Sequence, residues 1–143
     1  MLAIGCDHGG YELKNEIIKY LDKKGIKYLD CGTFSKEAVD YPEYAKVVCN
    51  EILKGNCDKG ILICGTGIGI SITANRFKGI RAALCGDCFS AAATREHNDA
   101  NVLCIGANFT KKKKAIKMIK LFLTTAFEGG RHARRLKKIS GDK

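Results

Sequence analysis

A glycine-rich segment, CGTGIG at residues 64–69, carries the strongest chemical signal in the 143-residue chain. Three glycines in five positions let backbone N–H groups point at a ligand, and a following helix N-terminus adds positive potential, so the loop can bind an anion. The same donors favour the thiolate form of Cys64. The loop lacks the Lys and Ser/Thr of a P-loop and matches the dinucleotide pattern only in part, which disfavours nucleotide binding.

Two histidines and two arginines could also do chemistry. His8 lies in CDHGG directly after Asp7, and His97 lies in REHNDAN. Imidazole moves protons near neutral pH, although a plain surface position is the alternative for each histidine. Arg131 and Arg135 in GGRHARR are four residues apart, so a helix puts them on one face, where they could bind a phosphate.

Alternating strands and helices must position these residues. Apolar runs predict strands over 2–6, 26–32, 59–65, 80–85 and 101–106, and helical spacing predicts helices over 11–24, 42–54, 68–76, 87–96, 111–126 and 129–140. The alternation indicates a doubly wound α/β fold, in which a five-stranded parallel sheet carries helices on both faces. The uninterrupted run at 59–65 is the predicted central strand.

The organisation of the chain predicts where a site would lie. No repeat or linker interrupts the sequence, so we interpret residues 1–143 as one domain. In such sheets ligands bind beyond the carboxyl ends of the strands, where the strand order reverses. We therefore expect Asp7, His8, His97 and the 64–69 loop to share one rim of the sheet.

Composition narrows the classes of function. No apolar run reaches the ~18 residues of a membrane span, and the chain starts without a signal-peptide pattern, so we expect a cytoplasmic protein that does not contact membranes. Eight cysteines in such a chain are expected to be reduced thiols. Only Cys85 and Cys88 form a CxxC, and no second pair or nearby histidines complete a zinc site, so no metal is expected.

The net charge of +10 is unevenly distributed. Residues 111–143 hold 12 Lys and Arg against 2 Asp and Glu, which accounts for the whole excess. A basic C-terminal segment can bind nucleic acid, but no aromatic residues are interleaved among the lysines to stack on bases. We therefore expect a solvated helical face and no nucleic acid partner. A non-catalytic polyanion-binding module is the distant alternative, which salt-sensitive binding without activity would support.

Seven sequence blocks in this order resemble the ribose-5-phosphate isomerase type B family. They are GCDHGGYELK, DCGT, VDYPEYA, GILICGTGIGISI, GIRAALC, REHNDANVL and FEGGRHARR, and the resemblance covers residues 2–139. It implies a Rossmann-like α/β fold with a C-terminal helix, and a homodimer or dimer of dimers with shared active sites. It also implies cofactor-free interconversion of D-ribose 5-phosphate and D-ribulose 5-phosphate in the pentose phosphate pathway.

The resemblance also implies roles for individual residues. Cys64 matches the general base that moves a proton between C1 and C2 through a cis-enediolate, and Thr66 assists at the oxygens. His97 matches the residue that opens the sugar ring, paired with Asp7. The other matching residues bind substrate: Gly65, Gly67 and Gly69 in the anion hole, Tyr41 and Asn98 at sugar hydroxyls, and His8, Arg131 and Arg135 at the phosphate.

Two positions bear on which branch of the family the chain resembles. One branch lacks the cysteine and has Glu where this chain has Ile70, so the resemblance is to the cysteine branch. Relatives commonly carry Arg where this chain has Asn108, which removes one cation from the expected phosphate site; lysines 111–114 could compensate. A six-carbon isomerase for allose 6-phosphate or galactose 6-phosphate is the alternative. The complete catalytic set disfavours the galactose branch, which resembles two unlike subunits.

Overall fold

Five short segments form one parallel sheet. The computed structural model describes residues 1–141. The strands are β1 (Leu2–Cys6), β2 (Tyr28–Asp30), β3 (Lys59–Cys64), β4 (Ala82–Leu84) and β5 (Val102–Gly106). Their order is β2-β1-β3-β5-β4, and every neighbouring pair is parallel. The central strand is β3, buried from its second residue onward, as its continuous apolar run predicts.

Helices cover both faces of the sheet. They are α1 (Tyr11–Lys23), α2 (Tyr41–Leu53), α3 (Ile68–Ala74), α4 (Cys88–Asn98), α5 (Lys112–Thr124) and α6 (Arg131–Ile139), and a 3-10 turn spans His8–Gly10. Apolar residues of α1, α4 and α5 pack on one face, and those of α2 and α3 pack on the other. The predicted doubly wound α/β fold is confirmed. None of these helices within residues 1–141 is long and apolar enough to span a bilayer.

Two predicted strands are too long. The sequence predicts strands over 26–32 and 80–85, but β2 and β4 have three residues each. Both lie at the edges of the sheet and pair with a single neighbour over three residues only. Apolar character continues beyond the paired residues because the flanking segments still cover the core. Single backbone hydrogen bonds continue past the paired residues, from the Cys31 N–H to the Ile4 carbonyl at 2.8 Å and from the Cys85 N–H to the Cys104 carbonyl at 3.1 Å. The predicted segments therefore follow their neighbouring strands beyond the three residues that are paired as strand.

The parallel sheet gives the molecule two distinct rims. At the carboxyl rim lie the segments that follow each strand, and at the amino rim lie those that precede each strand. Helices in such a fold run antiparallel to the strands, so each helix after a strand begins at the carboxyl rim and ends at the amino rim. The chain order changes direction between β1 and β3, which marks the expected ligand crevice at the carboxyl rim.

A buried lysine fixes the segment after β2 to α1. Lys14 is 1% exposed, and its Nζ donates to the Asp30 carboxylate and, at 2.7 Å, to the carbonyl of Thr33. The Phe34 ring covers the same ammonium group, 4.9 Å from the ring centroid. A buried ammonium group requires such partners because leaving water is costly. The ion pair therefore holds the 30–34 segment against the end of β1.

Replacing this lysine should destabilise the fold. Lys14→Met leaves Asp30 and the Thr33 carbonyl without their donor, so we expect unfolding free energy to fall by about 3 kcal/mol, the lower end for a broken buried pair. Urea denaturation measures the loss. Lys19→Met is the matched control on the same helix, because Lys19 is exposed and pairs only with Glu16, and its effect should stay within about 0.5 kcal/mol. Equal losses in the two variants would contradict the prediction.

Candidate active site

The thiol of Cys64 lies at the carboxyl end of the central strand. It is 4% exposed, and its Sγ accepts a hydrogen bond from the Gly67 N–H at 3.1 Å. The hydroxyl oxygen of Thr66 accepts the Ile68 N–H at 3.1 Å, which fixes the exposed Thr66 side chain over the same turn. A backbone donor aimed at sulfur stabilises negative charge there. The loop therefore holds a nucleophilic or basic sulfur beside further N–H groups of the first turn of α3.

Two glycines in this loop are required by its geometry. Gly67 has φ +76°, and a Cβ there would stand 2.6 Å from Leu84 Cδ1 and 2.9 Å from the Gly106 nitrogen. At Gly69 a Cβ would lie 2.7 Å from the hydroxyl oxygen of Tyr41. The Tyr41 ring therefore packs directly on the glycine loop. Its placement follows from Asp40 and Pro42, which begin α2 at this rim.

The turn after β1 lies against the same loop. Asp7 is buried, and its Oδ1 accepts the Gly10 N–H at 3.2 Å, which caps the 3-10 turn. A Cβ on Gly9 would be 3.2 Å from the Gly65 nitrogen, so the two loops touch. His8 is exposed, and its Nδ1 accepts the Val39 N–H at 3.1 Å. A neutral His8 therefore carries its proton on Nε2, where it can donate to an anion.

Asn108, at the position where the family resemblance leads us to expect arginine, borders the glycine loop. Its N–H donates to the Gly65 carbonyl at 2.9 Å, and its side-chain nitrogen is 3.1 Å from the position of a Cβ on Gly65. The four lysines at 111–114 begin α5 at the same rim, but Lys112 is paired with Glu16 at 3.2 Å. A neutral amide therefore occupies the position of the expected cation, and at least one of the lysines is engaged elsewhere.

The prediction that His97 shares this rim is wrong for a single chain. His97 and Asn98 lie in the last turn of α4, at the amino rim, and the Asn98 carbonyl accepts a 2.9 Å hydrogen bond from the side chain of Arg81, which precedes β4. Cys64 pairs with the far end of β5. The start of β5, next to His97, and the end of β5, next to Cys64, are four strand residues apart, which corresponds to about 13 Å along the sheet. The predicted pairing of His97 with Asp7 is therefore not made within one chain.

Arg131 and Arg135 lie with His97 at the amino rim. They are exposed on α6, as the four-residue spacing predicts, and form no ion pair within residues 1–141. On an adjoining side of α6, the buried His132 ring stacks on His97 with centroids 4.5 Å apart. The structure thus separates the predicted site residues into two half-sites. The carboxyl half-site comprises Asp7, His8, Tyr41 and residues 64–69, and the amino half-site comprises His97, Asn98, Arg131 and Arg135.

Most of the other thiols are poor candidates for proton transfer. Burial raises the pKa of Cys6 and Cys31 to about 11 and that of Cys49 to about 12. It also raises the pKa of Cys104 well above its usual value. Cys31 and Cys49 act as donors to backbone carbonyls. These thiols therefore stay protonated at neutral pH and serve as small apolar core residues.

Sequence reasoning missed three residues near the half-sites. Each of them makes a contact that is created only by the fold; they are Lys14, Glu128 and His132. Lys14 pairs with Asp30, 16 residues away in sequence, and His132 stacks on His97, 35 residues away. His132 had a weak signal, because it stands within the GGRHARR block between the two arginines. On a helix it points away from their shared face. Its burial could therefore have been suspected, but not its partner.

Comparison with known proteins identifies the class and then the family. Solved isomerases share the α/β architecture over nearly the whole chain, so the protein is an isomerase. The chain belongs to the ribose/galactose isomerase family, whose model matches residues 2–139.

Individual relatives carry more specific names. Ribose-5-phosphate isomerase B of Escherichia coli is 46% identical, covering 97% of this chain and 93% of that protein. A solved ribose-5-phosphate isomerase B from Clostridium thermocellum is 47% identical with a TM-score of 0.96, covering 98% of this chain and 95% of that one. The Mycoplasma genitalium enzyme, solved with bound ribulose-5-phosphate, is 41% identical with a TM-score of 0.93, covering 98% and 93%.

Proposed function

We propose that the protein interconverts D-ribose 5-phosphate and D-ribulose 5-phosphate through a cis-enediolate, with Cys64 as the general base. The observation that carries the proposal is the 3.1 Å hydrogen bond from the Gly67 N–H to Cys64 Sγ at the end of the central strand. The names of the relatives, and the ribulose-5-phosphate bound to one of them, support the same substrate. The reaction then belongs to the pentose phosphate pathway of the cytoplasm.

The chemistry needs no redox partner. The Cys64 thiolate removes the proton from C2 of the open-chain aldose, and the electron pair forms a C1–C2 double bond while negative charge develops on the C1 oxygen. The thiol then returns this proton to C1, while the proton of the C2 hydroxyl passes to the C1 oxygen, so that C1 carries a hydroxyl and C2 becomes the ketone carbonyl. Backbone N–H groups of the glycine loop stabilise the charged oxygen, because they are already oriented before the reaction begins. The Thr66 hydroxyl lies at the same oxygens.

The two half-sites require a second copy of the chain. We place the amino half-site of one subunit against the carboxyl half-site of its partner, so that a twofold homodimer has two identical active sites. Exposed apolar side chains along α2 and α3 provide a surface for such packing; they are Val47, Leu53, Ile68 and Ile72. Two such dimers could pair further into a dimer of dimers.

In this dimer the amino half-site supplies ring opening and part of the phosphate site. His97 of one subunit meets Asp7 of the other, and together they move the proton that opens the furanose. Arg131 and Arg135 of one subunit supply two exposed cations, and His8 of the other supplies its Nε2 donor. These three groups together can bind the dianionic phosphate. This arrangement accounts for exposed arginines that have no partner among residues 1–141. Asn98 and Tyr41 then contact the sugar hydroxyls between the two subunits.

Turnover of three sugar phosphates tests the proposal. The purified, chelator-treated protein is assayed with ribose 5-phosphate, allose 6-phosphate and galactose 6-phosphate, and we expect fast ketose formation from the ribose phosphate. That result also shows that Asn108 is compatible with phosphate binding. Preference for a six-carbon substrate would keep the mechanism and reject the pentose. No turnover of any substrate, with salt-sensitive binding to polyanions, would support a binding module instead.

The placement of the basic residues disfavours that binding module. The lysines at 111–114 begin α5 at the carboxyl rim, whereas the arginines of α6 lie at the amino rim beside α4. A surface that follows a nucleic acid backbone is a continuous positive groove. The charge excess of residues 111–141 is divided between the two ends of the sheet in this fold, so the described part of one chain does not present such a groove.

A further inference from the structure

We propose that His97, Glu128 and His132 form a binding site for a divalent transition metal of the Zn²⁺ class. One nitrogen of each imidazole and one oxygen of the carboxylate lie within 4.8 Å of one another. The His132 Nε2 is 3.4 Å from Glu128 Oε1, and the two rings stack with an interplanar angle of 20°. Because an imidazole lone pair lies in the plane of its ring, side-chain rotations that open this stack would direct all three ligand atoms at one metal ion.

An unpartnered nitrogen points into this cluster. The His132 side chain is 8% exposed, and its Nε2 has no hydrogen-bond partner within residues 1–141. The Glu128 carboxylate faces this nitrogen but does not form a hydrogen bond with it. A buried polar atom without a partner costs about 1–3 kcal/mol, so its persistence calls for an explanation. A metal ion between His132 and Glu128 would satisfy both groups at once.

The three ligands match the preferences of zinc. Two imidazoles and one carboxylate form an open three-ligand set, in which water occupies the fourth tetrahedral position. The backbone already holds the ligands together, because the Glu128 N–H donates to the Glu96 carbonyl at 3.1 Å and the His132 N–H donates to the Gly129 carbonyl at 3.1 Å. The first of these bonds fixes the segment before α6 to the last turns of α4, next to His97.

Metal at this site would stop the reaction, an inference that rests on the proposed function. His97 is the proposed ring-opening residue, and an imidazole nitrogen whose lone pair binds a metal cannot accept a proton. The metal-free protein is then the active form, and Zn²⁺ is a reversible inhibitor. This role differs from that of a catalytic metal, since no step of the proposed isomerisation uses the ion.

Cobalt binding tests the site independently of activity. We titrate the full-length, chelator-treated protein with Co²⁺ and expect one equivalent per chain, with visible d–d absorption and without a near-ultraviolet sulfur-to-cobalt band. Zn²⁺ should displace the Co²⁺. Glu128→Gln should weaken binding at least tenfold, because it removes the charged ligand, and His132→Gln should abolish it. Glu96→Gln is the matched control, since it removes an equal charge from the same region.

The outcomes separate this proposal from the proposed function. Equal Co²⁺ affinity in the Glu128→Gln and Glu96→Gln variants would overturn the site, and a sulfur-to-cobalt band would assign the metal to cysteines. Glu128 is half exposed, so its variant keeps the test valid if the His132 variant does not fold. With ribose 5-phosphate, Zn²⁺ should inhibit the wild type and much less the Glu128→Gln variant, and chelator should restore activity. Metal binding without inhibition would overturn the inhibitory role, whereas an inactive metal-free protein would overturn the proposed function alone.

Discussion

If Cys64 is the proposed general base, Cys64→Ala is expected to lower turnover of ribose 5-phosphate by about 10²- to 10⁴-fold, the usual contribution of a general base, while substrate still binds. The reason is the position of the sulfur, which lies at the end of β3 beside the glycine loop and accepts the Gly67 N–H. The phosphate ligands and the loop glycines stay in place in this variant. The loss should therefore appear in kcat, with KM changed by less than about threefold.

A buried cysteine outside the loop gives the matched control for this result. Cys49→Ala makes the same chemical change in the core, at a thiol whose pKa burial raises to about 12. We expect its turnover to equal that of the wild type, although its stability falls slightly because a small cavity forms. Steady-state kinetics of Cys64→Ala and Cys49→Ala measure the two turnover numbers. Near-normal turnover of Cys64→Ala would refute the base assignment, and equal losses in both would point to a general defect of folding.

For the residues whose rim of the sheet was predicted correctly, local sequence determines the position. The glycine loop follows an unbroken apolar run, so its place at the end of the central strand follows from strand length alone. The turn at Asp7 follows β1 by the same argument, and Asp40 with Pro42 begins α2 at this rim. Parallel strands then bring these ends together whatever the details of packing. This half of the site was therefore predictable.

His97 was misplaced because its position depends on the direction of a helix. It stands close to β5 in sequence, but it precedes that strand, so it lies at the amino rim. The residues that follow β5 are at the carboxyl rim instead, among them Asn108. The contacts of Lys14 with Asp30 and of His97 with His132 join elements that are distant in sequence. Periodicity and motif spacing carry no information on such pairs.

The separation of the half-sites leads to the prediction with the largest gain of activity. Cys64→Ala inactivates the carboxyl half-site, and His97→Gln inactivates the amino half-site. In a hybrid dimer, one active site combines both defects, while the other combines an intact Cys64 with an intact His97. Co-expression of the two variants in equal amounts should give about a quarter of wild-type turnover, since half of the dimers are hybrids with one intact site of two. Each variant alone should have about 1% or less.

The recovered activity distinguishes shared sites from sites within one chain. If each chain carried a complete site, both variant chains would stay defective in every pairing, and the mixture would be no more active than the average of the two. The matched control joins Cys64→Ala with Thr66→Ala, which damage the same half-site, so their mixture should show only that average. Turnover of ribose 5-phosphate is assayed for each of the two co-expressed mixtures. A rise of at least tenfold in turnover requires that His97 of one subunit act in the same active site as Cys64 of the other. If turnover of the mixture does not rise, the shared active site of the dimer is not part of the mechanism.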